Sequence, residues 1–224
     1  MKRSSASEKL WRNFLVKKVP GTTPIEGLFW KLVRNGKVLC EVGCGSGRVI
    51  SEILERGFMV TGSDINNSAV LNLRSKIKAT KMEHRVNVLK DDICETKLPL
   101  NKFDGAFMQG VLGAITRGKR LRALEQVRNI LKPKGFIHVA EFGMMKKQSM
   151  IIRYKNDHKI TGEYGTLSVR NDDDKEIYRT HNFTEKELVT LAENAKLKVL
   201  SVKHRTFTSY HGNRKPGLTL ILQK

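Results

Sequence analysis

The stretch Val38-Leu39-Cys40-Glu41-Val42-Gly43-Cys44-Gly45-Ser46-Gly47-Arg48-Val49-Ile50 constrains the fold more than any other part of the chain. Val38 to Val42 is a mostly apolar run that reads as a fully buried strand. Gly43, Gly45 and Gly47 follow at alternate positions, and Ile50, Ile53 and Leu54 then recur at helical spacing. Alternate glycines let the backbone turn sharply and let a ligand lie against bare main chain. The helix start offers unpaired N–H groups to the same ligand. Strand, glycine turn and helix together form a nucleotide-type binding turn.

The spacing says which nucleotide. A dinucleotide fingerprint, G-x-G-x-x-G, counted from Gly43 needs its third glycine at position 48, which is Arg48. The pattern here is E-x-G-x-G-x-G, with Glu41 two residues ahead of the first glycine. Glu41 to Gly47 resembles motif I of the class I S-adenosylmethionine-dependent methyltransferases, with Glu41 where that family usually carries aspartate. A dinucleotide enzyme is the competing reading. The resemblance implies an α/β fold: a doubly wound, mostly parallel seven-stranded sheet with an antiparallel last strand and helices on both faces. It also implies S-adenosyl-L-methionine as cofactor, with S-adenosyl-L-homocysteine as product, and places Glu41, Gly43, Cys44, Gly45 and Gly47 at its site.

Three later segments continue the pattern. Phe58 to Asp64 reads as the next strand, with an acid at its carboxyl end. A carboxylate there can accept hydrogen bonds from both hydroxyls of a ribose; Asp64 matches the family's second motif, with Ile65 beside it. Arg85 to Lys90 is a third strand leading into Asp91-Asp92-Ile93. The family places an acid here to accept from the adenine amino group. Asp92 with Ile93 against the ring fits that role, and Asp91 stays open as the alternative. Phe103 to Leu112 is a fourth strand and its exit loop, resembling motif IV in the plain form of small-molecule enzymes. Gln109 stands where the methyl group would be flanked. Leu131-Lys132-Pro133-Lys134-Gly135 before the strand reaching Phe142 is a turn common in the family.

Four regions follow. Residues 1–36 are an N-terminal helical cap, residues 37–142 the S-adenosylmethionine-binding core, residues 143–180 an insertion with a hairpin that builds a substrate lid. Residues 181–224 add a helix and the last two strands of the same domain. Thr184 and Glu187 form a capping box for that helix. Arg117 to Arg122 reads as a solvated helix face or a contact for an anionic substrate. Mid-strand His138 reads as a core histidine. If the acceptor must lose a proton early, the candidate bases are His181, His211 and Glu141. The histidines are scattered without ligand spacing, so no metal is expected.

Composition sets the outer bounds. A chain of 224 residues holds one α/β domain with a sizeable core. No apolar run reaches the roughly 18–20 residues of a membrane helix, so no membrane partner is expected. Cys40, Cys44 and Cys94 form no CxxC pair, which suits reduced thiols and a cytoplasmic protein. The net charge is +20, with nine basic residues against Glu8 and Glu26 in residues 1–40. Such a surface attracts nucleic acid, anionic lipid or acidic partners, or is a set of solvated faces. The expected reaction is methyl transfer to an oxygen or nitrogen of a small molecule; an RNA methyltransferase of tRNA type is the alternative. Oligomeric state is not legible.

Overall fold

The computed structural model describes residues 6–13, 23–209 and 212–224. The central element is β1 (Val38–Val42), flanked by β2 (Met59–Asp64) and β4 (Phe103–Gln109). With β3 (Val86–Lys90), β5 (Leu131–Phe142), β8 (Lys198–Thr208) and β9 (Arg214–Gln223) they form a seven-stranded sheet in the order β3-β2-β1-β4-β5-β9-β8. β1 to β5 run parallel, and β9 enters antiparallel between β5 and β8. The order reverses at β1, between β2 and β4, and such a switch point is where open α/β sheets bind ligands. The fold is the doubly wound one the sequence implies.

Strand alternation sorts the core onto the two faces. Leu39 and Phe107 pack with Phe29 and Val33 of α2 (Gly27–Val33), with α3 (Arg48–Glu55) and with α4 (Asn67–Lys78). Cys40, Val42, Ala106, Met108, Ile137 and Val139 point the other way. They meet Ala123, Leu124 and Val127 of α5 (Arg117–Ile130), and Leu188 and Ala192 of α7 (Glu185–Asn194). Burying both faces is why these strands read as near-continuous apolar runs.

Two regions depart from the sequence expectation. Residues 148–161 form a helix, α6 (Gln148–Thr161), that hydrophobic spacing does not signal, because Tyr154 is its single buried residue. It precedes the expected hairpin, β6 (Thr166–Arg170) and β7 (Glu176–His181), which stands apart as a two-stranded sheet. Arg120, expected on a solvated face or against an anion, is buried. Its guanidinium donates to Leu112 O and Ile115 O, both at 3.0 Å, and to the two Glu163 oxygens at 2.6 and 2.8 Å. One arginine thus fixes the β4 exit loop to the turn between α6 and β6.

The N-terminal segment is tied down twice. Glu26, just ahead of α2, is buried and accepts from Arg205 at 2.7 and 2.8 Å, Lys203 at 3.1 Å and Thr219 at 2.9 Å. The Arg205 hydrogen bond leads in holding its carboxyl down, to about 2. The Glu26 N–H donates to His138 Nε2 at 3.2 Å, so the core histidine is an acceptor for this segment. Burial pushes the His138 pKa down to about 4. Helix α1 (Ala6–Asn13) lies against β7.

Candidate active site

A cavity of about 460 Å³ opens over the carboxyl ends of β1 to β5 and continues beneath the β6–β7 hairpin. Such a volume lies in the range of small-molecule sites. Its floor is the glycine turn. Gly43 N and Cys44 N donate to Ser63 O at 2.7 and 3.0 Å, which locks the turn to the end of β2. Gly45, at φ +48°, has open space where a side chain would project, so a ligand can approach its backbone. Gly47, at φ +86°, has no such space: a Cβ there would run into Leu73 of α4. Gly45 leaves room for a ligand, whereas Gly47 seats α3 against α4 and does not line the cavity.

The acids have separate jobs. Glu41 is buried and accepts from Ile50 N at 3.0 Å, capping the first turn of α3 from the strand before the turn. Burial pushes its carboxyl well above the usual range, against the opposing Arg48 charge. Asp64 accepts from Gly45 N and Asn66 N, each at 2.8 Å. Two bonds leave lone pairs on a carboxylate, which offers about four. Burial raises the Asp64 pKa, opposed by those backbone donors. Asp91 is turned inward, bonded to Thr96 Oγ1 and to Lys97 N at 3.0 Å. Asp92 caps the following short helix through Cys94 N at 3.1 Å and pairs with Arg12 of α1 at 3.0 Å.

Ile65 and Ile93 supply apolar walls between these acids. Gln109 accepts from the Arg48 guanidinium through Oε1, while its Nε2 is buried with no partner among the described residues. An orphaned donor lining a cavity is costly unless a ligand accepts from it. The bare backbone at Gly45, the spare lone pairs of Asp64 and the orphaned Gln109 amide together fit an adenosyl ligand with a polar tail. Arg48 also lines the cavity; the sequence reading passed over it as the residue that excluded a dinucleotide fingerprint.

Two of the three base candidates lie outside the cavity lining. Glu141 lies outside the lining. It is 2% exposed and accepts from Leu112 N at 2.7 Å and Gly113 N at 3.2 Å, holding the β4 exit loop. Burial pushes its pKa up to about 7. His181 also lies outside the lining, 3% exposed, between Thr166 Oγ1 at 2.9 Å and the Glu187 carboxylate at 3.1 Å. Glu141 was expected to face substrate from the sheet edge and His181 to serve as a base; each is instead consumed by hydrogen bonds inside the protein. His211 lies outside the described residues. Glu163, His181 and Glu187 form a cluster, but Arg120 already neutralises Glu163, which disfavours a cation there.

The other end of the cavity is built from parts distant in sequence. Trp11 of α1 packs at a tilt against Tyr178 of β7, ring centroids 4.9 Å apart, and donates from Nε1 to Arg179 O at 3.0 Å. The Trp11 carbonyl accepts from Asn66 at 3.1 Å, and Ser7 reaches Ala114 O at 2.7 Å, so α1 roofs the cavity between the sheet edge and the hairpin. Phe142, Asn182, Phe207 and Ser209 close the far side.

This fold and cradle are those that the resemblance to class I S-adenosylmethionine-dependent methyltransferases implies. Residues 39–135 match the family described as "Methyltransferase domain". The chain is similar to an S-adenosylmethionine-dependent methyltransferase from Methanosarcina mazei, at 25% identity and a TM-score of 0.85, covering 90% of this chain and 99% of that one. The fold also matches a Burkholderia thailandensis 1,6-didemethyltoxoflavin-N1-methyltransferase holding S-adenosylhomocysteine, at a TM-score of 0.63 and 18% identity over 88% of this chain and 76% of that one. A human tRNA N(3)-cytidine methyltransferase is 26% identical over 165 residues, which is 71% of this chain and 41% of that protein. The chain spans 41% or less of the length of the curated relatives it matches. Among the described residues no helix is long and apolar enough to cross a membrane.

Proposed function

We propose that this protein transfers the methyl group of S-adenosylmethionine to an oxygen or nitrogen of a small molecule, in the cytoplasm. The observation that carries the reading is the roofed cavity, which runs from the glycine turn past Gln109 to a wall of Trp11, Tyr178, Phe142 and Phe207. When bound, S-adenosylmethionine supplies an electrophilic methyl on a sulfonium. Asp64 takes the ribose hydroxyls, Asp92 the adenine amino group, Ile65 and Ile93 the ring faces, and Gly43, Cys44 and Gly45 the backbone contacts. Glu41 holds the helix start and Gly47 the turn. Arg48 and Gln109 take the polar methionine end. The aromatic wall positions the acceptor, and holding two reactants in line supplies much of the acceleration. An acceptor whose lone pair is free at neutral pH needs no base from the chain. The three cysteines are free and buried, in keeping with a reducing compartment.

The +20 charge and the tRNA-modifying relative favour a second reading, RNA as acceptor. One experiment separates the two. Labelled S-adenosylmethionine is incubated with the protein and either purified RNA or protein-free metabolites. Label in metabolites, little affected by salt and lost in Asp64→Ala, supports the first reading. Label in RNA, falling steeply as salt rises, overturns it.

A further inference from the structure

The cavity has a charge asymmetry. Its carboxylates, Glu8, Glu41, Asp64, Asp91 and Asp92, sit on α1 and at the ends of β1, β2 and β3. At the other end the charged lining residues described are cations, Arg153, Arg170 and Lys215. Lys215 is on β9, three strands from β1 through β4 and β5, so roughly 14 Å separates the two strands.

We propose that this far end is a subsite for an anionic group of the methyl acceptor, a carboxylate or phosphate, seated between Lys215 and Arg153. The inference rests on the small-molecule reading above. Lys215 is half-buried and makes no ion pair or hydrogen bond among the described residues; its ammonium lies 5.9 Å from the centre of the Phe142 ring. Burial and the neighbouring Arg153 charge both push its pKa down. Two like charges facing one partly desolvated cavity repel, and an anion between them removes that cost. Arg153 is weakly committed, 3.4 Å from Asp157 and 3.3 Å from Ser168 O. Arg170 is not free in this sense, because Asp174 holds it through two contacts at 2.9 and 3.0 Å. Ser209 accepts from Asn213 N at 3.2 Å and keeps its own proton to donate toward the same end. Phe142 and Phe207, 5.9 Å apart, give the acceptor's apolar body a wall beside the cations.

The test is calorimetric titration of the full chain saturated with S-adenosylhomocysteine, using paired probes: benzoate against benzamide, phenyl phosphate against phenol. The anionic member of at least one pair binds about tenfold tighter than its neutral partner, and Lys215→Met removes that preference while S-adenosylhomocysteine affinity is unchanged. Whether carboxylate or phosphate is favoured tells which group the acceptor carries. No preference in either pair, or a preference that survives Lys215→Met, overturns the subsite. Displacement of the probe by a single-stranded oligoribonucleotide, in a salt-steep and Lys215-dependent manner, overturns it in favour of RNA. S-adenosylhomocysteine that does not bind the wild-type protein overturns the methyltransferase reading itself, a separate failure read before any probe is added.

Discussion

The two ends of the cavity are built on different principles. The end proposed for the cofactor is made by one short stretch and the strand ends beside it: Gly43 to Ser46, Asp64 and Asp92, held largely by backbone N–H and C=O groups. The end proposed for the acceptor is made by side chains from α1, β7, the end of β5 and the β8–β9 junction, which meet only when the chain is folded. A local motif built from backbone tolerates little variation in spacing, whereas a wall of side chains can be rebuilt residue by residue.

The comparison can be broken at the joint between the two ends. Arg120→Met strands the partly buried Glu163 and releases the β4 exit loop, so denaturant unfolding shows a loss of about 3–5 kcal/mol. A loss under 1 kcal/mol means that the acceptor end does not depend on this network. Next in size, Asp64→Ala lowers S-adenosylhomocysteine affinity ten- to a hundredfold by calorimetry, by loss of charge-assisted hydrogen bonds. An unchanged affinity removes Asp64 from the cofactor end altogether.

Trp11→Ala sharpens the boundary. It removes the ring from Tyr178 and the Nε1 bond to Arg179 O, and acceptor KM rises about tenfold with a smaller change in cofactor affinity. Equal effects on both would make α1 part of the cofactor end. The smallest effect concerns the strap at Glu26. Its carboxyl is held at about 2 against an ordinary 4.5, so its stabilising pairs are intact above pH 4.5 and are lost as pH falls toward 2. The stability gap between wild type and Glu26→Gln, about 1 kcal/mol after allowance for the partly exposed cationic partners, is flat at neutral pH and closes across that window. A gap that persists at pH 2 excludes the ion pairs as its source.

His181 and Glu141 show where sequence reasoning misled. Glu141 stands near the carboxyl end of β5 and His181 at the end of β7 in the hairpin, both close to residues that line the cavity. Direction is the missing information: a strand residue faces one side or the other, and a polar side chain in reach of a backbone donor is captured by it. Leu112 N and Gly113 N capture Glu141, and Thr166 and Glu187 capture His181. Helix α6 escaped notice because an outlying helix with one buried residue carries almost no apolar periodicity. Arg120 looked like one of several surface cations, and nothing in its neighbours distinguishes the one that turns inward.

By itself the sequence determined the sheet, the glycine turn, the class of cofactor and the acids at the ends of β2 and β3. Each follows from short-range rules: alternate glycines, apolar runs and the fixed place of a residue at a strand end. Tertiary structure alone decided that Trp11 roofs the cavity, that Glu26 is strapped by Arg205, and that Lys215 and Arg153 share one wall. These pairings join residues up to 179 apart in the chain, as Glu26 and Arg205 are. Their energies come from burial and charge neutralisation that exist only once the chain has closed on itself, so no local pattern encodes them.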